Sequence, residues 1–104
     1  MEQFRQGDVL VEYASREIPK DAKPIAREGG AVVLAHGEAT GHAHKITGRG
    51  VKFFQADAGQ RFLSVTAPKS LEHDEHDTIP LPRGNPEVIR QREYSPEAIR
   101  NVAD

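Results

Sequence analysis

The sequence predicts an all-β domain, a single small barrel or sandwich of seven to eight short antiparallel strands with a short C-terminal helical turn. Three observations lead there. The apolar runs are short and separated by Gly, Pro and Asp at strand-like spacing. Within the first run Val9, Val11 and Tyr13 alternate onto one face. Val, Ile, Leu and Phe total 23 of 104 residues, enough for one modest core and one domain covering residues 1–104.

The elements follow in chain order. Gly7-Asp8 opens a first strand, Val9 to Ala14, and Pro19 and Pro24 mark Ser15 to Glu28 as a long surface loop. Gly29-Gly30 starts the second strand, Ala31 to His36. A glycine-punctuated segment, Gly37 to Gly41, leads into the third, His42 to Thr47. Gly48-Arg49-Gly50 turns into Val51–Ala56, and Asp57 to Gln60 turns into Arg61–Ala67. Pro68 ends that strand before Leu71–Leu81, which bends in its acidic middle. Pro82 to Pro86 is a strong turn before the last strand, Glu87 to Tyr94. Ser95 then caps a stub of helix with Pro96 at its first position, giving a tail over 95–104.

Composition excludes several functions. Fourteen basic against sixteen acidic side chains leave a net charge of −2, which argues against a nucleic-acid surface. The longest apolar run, Ala31 to Ala35, falls far short of the ~20 residues that span a bilayer, so no membrane partner is expected. No apolar stretch follows the charged N-terminus and no cysteine is present, which suits a cytoplasmic protein. Neither a serine elbow nor a phosphate-cradling glycine loop occurs.

What stands out is histidine. All five fall between positions 36 and 76: His36, His42 and His44 within nine residues, His73 and His76 within four. Parity along strands places them. His42 and His44 share a face with Ile46, His36 shares one with Val32 and Leu34, and His73 shares one with Leu71. His76 joins them if the acidic segment bends. A hairpin through Gly37–Gly41 would also set His36 near His44. A lone His-x-His is often polar surface, and an acidic His-containing loop is often merely solvated. Two clusters with agreeing parity instead point to a metal site at the barrel mouth, with ligands His42, His44, His73, His36 and His76. Imidazole donors suit a divalent transition metal, Zn, Fe, Ni, Cu or Mn, better than Mg or Ca. Glu38, Glu75, Asp77 and Glu87 are carboxylates available as further ligands or as acceptors for imidazole N–H.

Gly37…His42-Ala43-His44 followed by Pro82-Arg83-Gly84 resembles the two motifs of the cupins, small β-barrels carrying a His-x-His and a Pro-x-Gly turn. That resemblance implies His42 and His44 as ligands. Thr47, Gly48 and Arg49 stand where the first motif's glutamate is expected, and Glu87 where a histidine is expected just after the Pro-x-Gly of the second. The chain as a whole also resembles small uncharacterised bacterial or phage proteins.

The expected function is therefore metal binding, with an open coordination position permitting metal-dependent catalysis on a small molecule. The alternative is a self-assembling homo-oligomeric module that uses its edge strands and an Arg90/Arg92/Tyr94 face, its histidines being structural or titrating together as a pH sensor near pH 6–7.

Overall fold

The computed structural model describes residues 2–14, 17–36 and 42–90 and is all-β, with ten short strands and no helix among them. They are β1 (Glu2–Gln6), β2 (Val9–Tyr13), β3 (Lys23–Pro24), β4 (Val32–His36), β5 (Ala43–Ile46), β6 (Val51–Gln55), β7 (Arg61–Val65), β8 (Lys69–Leu71), β9 (Ile79–Leu81) and β10 (Glu87–Arg90). Six form one sheet in the order β1-β2-β10-β7-β6-β3, and β4-β5 and β8-β9 are separate antiparallel pairs. The all-β class is as expected. Of the two forms expected, barrel or sandwich, a closed barrel does not form among the described residues, where the sheet is open with β1 and β3 at its ends and carries two ribbons. The predicted C-terminal helical turn lies outside the described residues.

Two strands escaped the sequence pattern. β1 reads Glu-Gln-Phe-Arg-Gln, because an edge strand buries little: of its five residues only Gln6 is buried and Phe4 half-buried. Phe4 meets the Tyr13 ring edge-on at 5.7 Å. β3 lies inside the predicted surface loop, where Pro24 is tolerated because the strand is terminal and pairs only with β6. The expected strand Leu71–Leu81 divides into β8 and β9, and the acidic stretch between them forms a loop.

The expected face of Val9, Val11 and Tyr13 is buried, at 0, 0 and 9% exposure. It shares one cluster with Val51, Phe53, Leu63, Val65 and Val88 of the sheet. Val32, Leu34 and Ile46 of the β4-β5 ribbon and Leu71 and Leu81 of the β8-β9 ribbon complete that cluster. Gly84 takes φ +144° and lies so close to Tyr13 that a Cβ would come within 2.9 Å of its ring carbons. The Tyr13 hydroxyl donates to the Pro82 carbonyl at 2.6 Å. Packing against tyrosine thus accounts for the glycine of Pro82-Arg83-Gly84.

Ile46 is fully buried where the β4-β5 ribbon meets the core. Ile46→Ala is expected to lower unfolding free energy by about 2–5 kcal/mol, read by urea denaturation.

Candidate functional site

Two backbone connections assemble the site. A pair of hydrogen bonds, Lys45 N to Glu72 O at 3.0 Å and Glu72 N to Lys45 O at 2.8 Å, ties β5 to the chain leaving β8. In this antiparallel bridge the next residues, His44 and His73, oppose one another. Their ring centroids lie 4.3 Å apart. The bend beyond His73 returns His76 to within 4.6 Å of His73 and 5.8 Å of His44, and His42 stands 5.8 Å from His73. Four imidazoles from two segments therefore meet, as the strand parity and the bend predicted.

The fifth does not join them. The β4-β5 register shifts between Val33 and Ala35, where a bulge lets both Leu34 and Ala35 turn inward. Parity reverses beyond it, so His36 opposes Ala43 and points outward. Its side chain is 65% exposed and meets Glu28 at 2.9 Å. The expectation that His36 lies inside with His44 is corrected by that one extra residue.

His44 is the deepest member, 3% exposed, and with Gln6 it makes up the buried polar pair among the described residues. Gln6 Nε2 donates to the Leu71 carbonyl at 2.9 Å and to the Asp77 carbonyl at 2.8 Å. Turning the amide over would set its oxygen against two carbonyl oxygens, so Oε1 must be the atom facing His44 Nδ1 at 2.8 Å. An amide oxygen only accepts, so Nδ1 carries the hydrogen. When the ring is neutral, Nε2 is left with a bare lone pair, 3.4 Å from Asp8 Oδ1. The other Asp8 oxygen accepts from Arg90 Nε at 3.0 Å.

The floor beneath the rings is Gly7. It begins the two-residue turn between β1 and β2 with φ +60°, a place in tight hairpins that favours glycine. A Cβ there would lie 2.8 Å from His76 Nε2 and 3.2 Å from His44 Cε1. Gln6, Gly7 and Asp8 are the candidate-site residues that sequence reasoning missed. The Gly-Asp turn was a usable hairpin signal, but the polar run before it did not read as a strand.

The outer rings are held differently. His73 Nδ1 accepts the Glu75 N–H at 3.0 Å, which places the proton of a neutral His73 on Nε2. His42 Nδ1 is shut off from solvent without a hydrogen bond, with Glu75 Oε1 at ion-pair distance, 3.4 Å, and its Nε2 is 3.9 Å from Asp74 Oδ2. Asp77 contributes its backbone carbonyl to Gln6, Glu87 belongs to β10, and Glu38 lies outside the described residues.

Burial, then the adjacent His73 ring, push His44 down to about 4, against the opposing pull of Asp8. Burial and the neighbouring His76 and His42 also lower His73, opposed by Glu75 and Asp74. Burial raises the Asp8 carboxyl, but Arg90 outweighs it and holds the group below its ordinary value. His44 therefore stays neutral through the range where the five histidines were expected to titrate together. Among the described residues no three His, Asp or Glu side chains stand as a ready-made metal cage.

A family model described as Domain of unknown function (DUF8820) matches residues 5–91, a span holding both ribbons and all five histidines. No curated protein and no solved structure matches the chain.

Gly7→Ala is expected to destabilise the protein by more than about 1 kcal/mol in thermal or urea melts, because the added methyl is strained and meets His76. In the presence of a chelator, stability should fall as pH drops from about 6.5 towards 4. In that window the unfolded chain binds a proton that folded His44 refuses. The loss, on the order of 2 kcal/mol, should shrink in His44→Gln, as measured by urea denaturation at a series of pH values.

Proposed function

Because the chain belongs to the DUF8820 family, whose defining domain has no known function, the reading rests on chemistry, and we propose that it binds a divalent transition metal at the imidazole cluster. His44 anchors the ion through Nε2, and Asp8 supplies a carboxylate. His76, His73 and His42 complete the set by rotations of half-buried or exposed side chains. The carrying observation is the Gln6–His44–Asp8 arrangement. A bare imidazole nitrogen faces a carboxylate oxygen at 3.4 Å, a repulsive pairing that a cation between them would relieve. Donation of the second ring nitrogen to an amide oxygen is the usual way a ligating histidine is oriented. His73 ranks below His44, since its Nδ1 contact keeps a proton on Nε2 that coordination there would displace.

Imidazole and carboxylate donors suit Zn, Ni, Fe, Cu or Mn. The His-x-His of the cupin resemblance falls on His42 and His44 and supports the same ligands. An ion held on the solvent side of these rings would keep a position for water, the condition for Lewis-acid catalysis on a small molecule. The chain has no cysteine to oxidise or to compete for the ion, in keeping with a cytoplasmic setting. Among the described residues no helix is long and apolar enough to cross a membrane. Self-assembly is the second reading, favoured by the terminal strands β1 and β3, each paired on one side only among the described residues.

Isothermal titration of untagged protein with zinc, nickel and manganese tests the proposal. About one equivalent of at least one ion is expected to bind. His44→Ala and Asp8→Asn should weaken it, and Gln6→Leu should cost roughly 10–100-fold by releasing the ring. Absence of saturable binding by these ions, or affinity unchanged in both His44→Ala and Asp8→Asn, would overturn it.

A further inference from the structure

A second feature lies beyond β10. Between β4, β6, β7 and β10 opens a cleft of about 550 Å³, walled by Ile25, Val33 and Phe53 and faced by Arg61, Arg90 and Glu28. Most of its charges are already satisfied. Arg90 gives its Nε to Asp8 at 3.0 Å and an Nη to the His36 carbonyl at 2.7 Å. Glu28 is met by His36 Nε2 at 2.9 Å.

Arg61 is the exception. Its side chain is half-buried, its guanidinium lies 5.3 Å from the centre of the Phe53 ring, and one Nη donates to the Leu34 carbonyl at 2.8 Å. Among the described residues no carboxylate comes within ion-pair distance of it. A guanidinium has five N–H donors in a planar fork that matches a carboxylate, and withdrawing such a cation from water without an anion is costly. Burial and the nearby charge of Arg90 lower its proton affinity, which reports the same uncompensated charge.

We infer that this cleft binds a small organic monocarboxylate, its carboxylate on the Arg61 guanidinium and its apolar body against Ile25 and Val33. One unmatched positive charge takes one negative charge. The Glu28 carboxylate and the Leu34 carbonyl lining the same space repel a dianion such as phosphate. The apolar walls give an organic acid an advantage over an inorganic anion. This assignment does not depend on metal, although Asp8 joins the two places, with one oxygen towards His44 and the other on Arg90.

The test is NMR titration of the full chain in chelator with benzoate and hexanoate, their neutral amides and inorganic phosphate. Saturable shifts at the Arg61 Nε–H and the Ile25 methyls are expected for the carboxylates, with Kd of about 1 mM, the range of a small fragment. The amides and phosphate should bind at least about ten-fold more weakly, as should the carboxylates to Arg61→Gln. Because the titration is run in chelator, failure here and failure of metal binding are read separately. If Arg61→Gln does not fold, Arg61→Lys keeps the charge but loses the fork and should still weaken benzoate. No saturable shift, equal binding of phosphate or amide, or undiminished affinity in the Arg61 variants would overturn the inference.

Discussion

Gln6 is the constraint on which the rest of the molecule's polar architecture depends. Its amide is 2% exposed and bonds the chain at three distant points: the end of β8, the acidic loop at Asp77, and the His44 ring on β5. A buried amide must satisfy both its oxygen and its nitrogen, and this one does so by fastening the β8-β9 loop to the first strand. The same bonds dictate which nitrogen of His44 carries hydrogen. Structural satisfaction and chemical orientation are thus one event.

Asp8 extends this logic to the neighbouring cleft beside β10. Its two oxygens face different neighbours, His44 and Arg90, and Arg90 in turn caps the end of β4 through the His36 carbonyl. An imidazole cluster and a cationic cleft are therefore coupled through a single carboxylate at the β1-β2 turn. Asp8 is half-buried and its charge is held by Arg90, so the carboxylate remains available to the cluster at ordinary pH. The glycine beside it matters for space as much as for conformation, since any side chain there would enter the volume of His76.

The outcome for the histidines shows how one local irregularity redirects a side chain. Strand parity placed His42 and His44 correctly because β5 runs without interruption to Ile46. The same rule failed for His36, because the bulge beside Leu34 lies between that residue and the rest of β4. A bulge leaves no mark in a run as uniformly apolar as Val32-Val33-Leu34-Ala35. His76 was reached by the chain reversal between β8 and β9, which the acidic composition of 72–77 foreshadowed.

What the chain determines by itself is the all-β class, the inward faces of β2 and β5, and the crowding of imidazoles into two segments. These follow from local rules, the two-residue alternation of strands and the turn chemistry of Gly and Pro. Tertiary structure decided that the sheet stays open, that polar β1 pairs with β2, and that Gln6, Gly7 and Asp8 underlie the histidines. It also set Arg61 in a cleft where, among the described residues, no carboxylate stands at ion-pair distance. Those outcomes arise from contacts between residues up to 82 positions apart, where satisfying buried polar groups outweighs local preference and no short-range pattern records the partner.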